Sequence, residues 1–265
     1  MRPLGKAGEW FGTRIARYLL KPVKTYKSFA VAGEDRLSRV LQPGDVLLVE
    51  GNTRVSGAIK YLTQSTWSHA CIYIGRPLGD RLGDPDLVLV EVDMVKGVVG
   101  IPIRQYAALN TRICRPVGLT EPDRRAVIEF VLNRLGHQYD LKNIIDLARY
   151  LVPRPPVPAR WRRKLIAFGS GDPTRAICST LLAQAFQSVR YPILPRYDAN
   201  DLCKTDDECL RAMHYSHFTP RDFDLSPYFK VIKPTLELGF DYTLLKWADP
   251  SFTQTGEVRS TSHIE

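Results

Sequence analysis

Between residues 41 and 117 the chain repeats one pattern: a short apolar, β-branched run, then a cluster of turn residues, then another run. Pro43-Gly44-Asp45 turns into Val46-Leu47-Leu48-Val49. Further strands are expected over 68–75, 87–92, 98–103 and 112–117. Lys96-Gly97 supplies a hairpin turn between the third and fourth. The Gly-, Pro- and Asp-rich stretch 76–86 reads as a loop. Strands that follow one another without long helices between them close into an antiparallel meander and exclude a parallel doubly wound sheet.

The character changes at Thr120-Glu121-Pro122-Asp123, where a capping residue and early acids open a helix expected to run to about residue 135 and stop at Gly136. Further helices are expected over 141–151 and 177–189. Pro153-Arg154-Pro155-Pro156-Val157-Pro158 fits neither helix nor central strand and reads as a polyproline-like connector. An excursion loop is expected over 196–211 and late strands over 228–233 and 240–247. The expected class is therefore α+β, an antiparallel sheet packed against helices. Its expected parts are a basic amphipathic segment 1–39, one folded domain 40–250 and a disordered tail 251–265. A hydrophobic content of 44% in 265 residues is enough for one substantial core.

The formal charge of +9 is uneven: residues 1–28 carry seven basic residues against Glu9 alone, a net of +6. Phe11, Ile15 and Leu19 recur at helical spacing while Arg14, Arg17 and Lys21 fall largely off that stripe. Such a segment suits an anionic membrane surface, or a helix packed on its own domain with a solvated basic face. No recognition motif supports nucleic-acid binding. No apolar run reaches the roughly 20 residues of a membrane span, and charges interrupt the N-terminus where a secretory signal would be continuous. Five cysteines without framework spacing fit a reducing compartment. The expected location is cytoplasmic, with peripheral attachment at the inner face of the membrane.

Two distant segments carry chemistry. His69 opens an apolar strand in Trp67-Ser68-His69-Ala70-Cys71, and Cys178 opens an apolar helix in Ile177-Cys178-Ser179-Thr180-Leu181. A thiol at a helix N-terminus beside a histidine can become a thiolate nucleophile, with nearby backbone N–H groups facing a developing oxyanion. A third group must fix the imidazole. Glu91, an acid inside the apolar run Leu89-Val90-Glu91-Val92, is the candidate, with Asp93 the alternative on the same face. Cys203, Cys209, His214 and His217 are of the types that bind zinc, but their spacing matches no common finger, and no metal or cofactor is expected.

Pro43-Gly44-Asp45, Ser68-His69, Val90-Glu91, Gly136-His137-Gln138-Tyr139-Asp140 and Cys178-Ser179, in that order, resemble the NlpC/P60 superfamily. With histidine before cysteine, the order is that of its circularly permuted, YiiX/YaeF-type branch of papain-like amidases, related to the lecithin:retinol acyltransferase-like proteins. The latter usually carry Asn-Cys-Glu at the nucleophile, so Ile177-Cys178-Ser179 is more similar to the amidase-like branch. The resemblance spans roughly residues 40–190. It implies a permuted papain-like fold with Cys178 as nucleophile, His69 as base, Glu91 as third residue, and Tyr139 and Ser179 at the substrate or oxyanion side. It implies hydrolysis or transfer at an amide, ester or thioester carbonyl of an acyl- or peptide-bearing substrate. With the basic N-terminus, that substrate is expected near the membrane. The alternative is a non-catalytic membrane- or acyl-binding protein on the same fold.

Overall fold

The computed structural model describes residues 21–22, 30, 32–93, 95–138, 177–197, 210–211 and 213–244. Helix α1 (Glu34–Val40) leads into strand β1 (Val46–Val49), helix α2 (Arg54–Thr63), strand β2 (His69–Tyr73) and helix α3 (Arg76–Leu82). Strands β3 (Leu87–Asp93), β4 (Gly97–Pro102) and β5 (Thr111–Pro116) follow, then helices α4 (Glu121–Leu132) and α5 (Ile177–Ser188). Strands β6 (Arg196–Tyr197) and β7 (Leu210–Arg211) form a separate two-stranded ladder. Helix α6 (Pro220–Leu225), strand β8 (Phe229–Ile232) and helix α7 (Pro234–Glu237) complete the described elements.

The main sheet has the order β4-β3-β2-β1-β5-β8, and every neighbouring pair is antiparallel. The first four strands form the meander expected from the sequence; β5 then returns to the free side of β1. This makes β1 central, and all four of its residues are buried. Its unbroken Val-Leu-Leu-Val run follows from that position, because a strand covered on both faces has no use for alternation. On one face Val46, Leu48, Ala70, Ile72 and Val90 pack with Val127 and Val131 of α4 and Leu181, Leu182 and Phe186 of α5. On the other, Leu47, Val49, Cys71, Leu89 and Ile113 pack with Leu37 and Val40 of α1. An aromatic cluster closes the first face, with Phe186 edge-on to Phe229 at 5.2 Å between ring centres.

Thr120 caps α4 as expected, its hydroxyl accepting from the Asp123 N–H at 3.3 Å. Three expectations are corrected. Residues 76–82 form a helix, not a loop: Pro77 occupies its first turn, where no N–H is needed, and Gly83 closes it at φ +72°. Residues 54–63, assigned no element from the sequence, form α2, capped by the Thr53 hydroxyl accepting from Ser56 N–H. Residues 240–244 form no strand; Asp241 accepts from the N–H and hydroxyl of Thr243 and winds the chain into a short 3-10 turn. The helix expected over 141–151, the connector 153–158, the segment 1–20 and the tail from 251 lie outside the described residues. No helix among the described residues is long and apolar enough to cross a membrane.

Two devices hold the sheet in register with its surroundings. Gly97 turns the β3–β4 hairpin at φ +78°, and a Cβ there would collide with the His137 carbonyl. That carbonyl accepts from Val98 N–H at 3.0 Å, and Gly136 N–H donates back to Val98 at 2.9 Å, so the segment after α4 is laced to the sheet edge. The second device is an ion pair. Asp45, 1% exposed, accepts from Arg115 Nε at 2.9 Å and Nη2 at 2.8 Å and from Gln42 N–H at 2.8 Å. The same Nη2 donates to the Val40 carbonyl at 2.7 Å, joining α1, β1 and β5. Burial pushes the Asp45 carboxyl up, against the pull of Arg115 and the Gln42 N–H. Truncating one member of a buried pair strands the other. Asp45→Ala is therefore expected to cost about 3 kcal/mol, read as a lower urea midpoint with an unchanged slope.

Candidate active site

His69 is the first residue of β2, and Glu91 lies in β3. The two strands pair Ile72 with Val90 and Tyr73 with Leu89. Continued by one step, that register sets Glu91 against Cys71, on the face His69 shares. The geometry follows: His69 Nε2 and Glu91 Oε2 are 2.7 Å apart. Glu91 is 5% exposed, so the acid inside an apolar run is buried at the sheet's end and not turned to solvent. Burial disfavours its charged form, but the His69 charge and hydrogen bonds from His69, Tyr106 and Gln105 outweigh it and hold the carboxyl below its usual range. An ionised carboxylate only accepts, so Nε2 carries the proton in this bond.

Two of those partners were not singled out from the sequence. Beyond β4 a 3-10 turn, Ile103–Gln105, folds the chain back, and Tyr106 N–H donates to the Ile103 carbonyl at 3.0 Å. The turn presents Gln105 Nε2 to Glu91 Oε1 at 3.4 Å and the Tyr106 hydroxyl to Glu91 Oε2. The Tyr106 ring also lies 5.8 Å from the His69 ring, tilted by 56°. A Gln-Tyr pair after a strand is an ordinary sequence, and only the fold-back gives it meaning. Asp93 does not compete for His69: its carboxylate accepts from Val95 and Lys96 N–H at 2.7 Å each and caps the hairpin.

Cys178 is the second residue of α5, at the end where backbone N–H groups and the helix dipole favour negative charge. It is 6% exposed. Burial alone would lower the pKa of His69; the negative charge of Cys178 and of Glu91, and hydrogen bonds to both, raise it well above the ordinary histidine range. With Nε2 given to Glu91, Nδ1 is the nitrogen left for the sulfur. His69, 22% exposed at its side chain, thus sits between a thiol and a carboxylate.

The Ser179 hydroxyl is buried and donates to the Phe218 carbonyl at 2.6 Å, which ties the helix head to the segment before α6. Tyr139 lies outside the described residues, although His137, two positions earlier, is laced to Val98 at the site's end of the sheet. Among the described residues no cluster of three or more His, Cys, Asp or Glu is placed to hold a metal ion. His214 turns Nδ1 to Ser216, while Cys203 and Cys209 lie outside the described residues.

Residues 40–150 match the family model described as permuted papain-like amidase enzyme, YaeF/YiiX, C92 family. The matched segment contains His69, Glu91, Gln105 and Tyr106 and ends before Cys178. Among solved structures, the crystal structure of the metalloprotein YiiX from Escherichia coli O157:H7 matches with a TM-score of 0.42 and 15% identity, covering 72% of this chain and 96% of that one. No curated protein is significantly similar to this chain.

The charge of Glu91 raises the His69 pKa, so removing that charge must lower it. Glu91→Gln is expected to move the His69 titration midpoint down, followed by the imidazole nitrogen shifts in a pH series. An unmoved midpoint would show that the pair does not couple as the geometry requires.

Proposed function

We propose that this chain, whose residues 40–150 match the family model of the permuted papain-like amidases, is a cysteine-dependent hydrolase acting at an amide, ester or thioester carbonyl. Cys178 is its nucleophile, His69 its base and Glu91 its orienting carboxylate. One observation carries the assignment of roles: a single imidazole is held at Nε2 by a buried carboxylate, while the Cys178 sulfur at a helix head interacts with the same ring by hydrogen bond and, when ionised, by charge. His69 Nδ1 holds the proton given up by Cys178 in a thiolate–imidazolium pair, and the sulfur attacks the carbonyl carbon. The carbonyl π pair moves to oxygen, facing N–H groups of the first turn of α5. Collapse expels the amine, alcohol or thiol, which leaves with the proton from His69, and the acyl group remains as a thioester on Cys178. Water then attacks and gives its proton to His69, and the acid departs as the carbon–sulfur bond breaks, leaving the thiolate beside the imidazolium. An alcohol or amine in place of that water makes the same site an acyltransferase.

Cys178→Ala is expected to lower hydrolysis of a panel of acyl amides, esters and thioesters by at least about 10³-fold with an unchanged melting temperature. Full activity in that variant would sink the assignment. At neutral pH iodoacetamide is expected to label Cys178 at least about tenfold faster than Cys71 or Cys114. Burial, with Asp224 adding, pushes the Cys114 thiol up to about 12; burial and the charges of Glu91 and Cys178 push Cys71 well up. Equal labelling would favour the non-catalytic binder.

The substrate we favour is an acyl chain borne by a membrane. The +6 segment 1–28 supports this, as does the place where it joins the domain. Pro22 bridges to Thr53, and Arg54 N–H donates to the Lys21 carbonyl at 3.3 Å. Two residues before Thr53, Gly51 N–H donates to the hydroxyl of Ser68, the neighbour of His69. Lys21 and Pro22, the described residues of that segment, therefore sit at the head of α2, two residues from the Gly51–Ser68 contact. The full chain is expected to sediment with phosphatidylglycerol vesicles, to be released by high salt, and to lose binding when residues 1–20 are deleted. Sedimentation independent of those residues would remove this support.

A further inference from the structure

A buried carboxylate that orients a histidine must itself be oriented. Glu91 owes only its Cα position to β3; the torsion that sets its carboxylate plane is broad and two-fold for glutamate. Three side-chain donors fix that plane. His69 Nε2 and the Tyr106 hydroxyl share Oε2, and Gln105 Nε2 reaches Oε1 at 3.4 Å. Tyr106 is the member that touches both partners, donating to Glu91 and laying its ring 5.8 Å from that of His69. Its phenol keeps its proton, because burial and the charge of Glu91 both oppose ionisation. The donation therefore runs one way, into the carboxylate. The ring packs on the core face shared by Leu89 and Cys71, a space that phenylalanine fills equally well.

We infer that Tyr106 is a positioning residue of the site: its hydroxyl holds the Glu91 carboxylate aligned on His69 Nε2, with Gln105 steadying the other oxygen. This rests on the reading of Cys178 and His69 proposed above. A hydrogen bond to the ionised form lowers a carboxyl pKa, so losing it lets Glu91 take a proton at higher pH. The acid limb of the site's activity must then rise.

The test is Tyr106→Phe, read against Glu91→Gln and the double variant. Tyr106→Phe is expected to move the acid limb of the Cys178 alkylation profile up by about one pH unit. It is expected to lower kcat about tenfold with KM little changed, and to leave the melting temperature within a few degrees. In the Glu91→Gln background the same substitution is expected to add nothing, since the hydroxyl acts only through that carboxylate. A Tyr106→Phe protein with the parent profile and kcat would overturn the inference, as would an equal, additive effect in the Glu91→Gln background. Alkylation and the His69 nitrogen shifts need no substrate. Slow alkylation of Cys178 in the parent protein would therefore overturn the hydrolase reading, while the response of the His69 shifts to Tyr106→Phe would still decide the role of Tyr106.

Discussion

A carboxylate carried into the sheet interior at Glu91 is the constraint around which the site is assembled. An unpaired charge at 5% exposure would cost several kcal/mol, so the fold must either neutralise it or surround it with donors. It does the second, drawing one donor from the start of β2 and two from the turn after β4. Each donor reaches Glu91 only if its own segment is placed correctly. The register of β2 against β3 and the fold-back at 103–106 are therefore tied to one group. Satisfying Glu91 and building the base of the site are a single structural event.

The sheet order explains how a histidine early in the chain meets a cysteine late in it. The meander β1 to β4 brings His69 and Glu91 together using residues close in sequence, before any helix is needed. Helices α4 and α5 then cover one face, with Leu181, Leu182 and Phe186 buried against Ala70, Ile72 and Val90. That packing sets the axis of α5, and the Ser179–Phe218 hydrogen bond sets how far its head projects. Cys178 is therefore positioned by apolar burial and one neutral hydrogen bond, while His69 is positioned by charge.

Much of this was legible in the residues, for identifiable reasons. The strand runs announce themselves because both faces of the sheet are covered and β1 needs no polar face. Glu91 was conspicuous because an acid inside an apolar strand must have a partner. The pairing of His69 with Cys178 needed more than spacing; the order of several weak motifs supplied it. Helix α3 was hidden because its Pro and Gly, read as loop formers, sit at its first turn and its end, where they belong as well. Gln105 and Tyr106 were illegible because their role arises from a chain reversal that no local pattern encodes. The bond of the Ser179 hydroxyl to the Phe218 carbonyl was illegible for the same reason, since the two are remote in sequence.

The same carboxylate also sorts the thiols. Cys71 lies on β2 two residues from His69, and the strand register sets it opposite Glu91, so proximity to the base alone would make it a rival nucleophile. Yet it is fully buried, its sulfur contacts the Leu47 carbonyl at 3.5 Å, and burial together with the charges of Glu91 and Cys178 keeps its proton in place. Cys178 meets Glu91 only across the imidazole, which turns the carboxylate's charge into support for an imidazolium. One negative group thus suppresses the thiol it faces directly and assists the thiol it reaches through His69. The sulfur on the far side of the ring, at the head of a helix, is the one whose ionised form the fold supports.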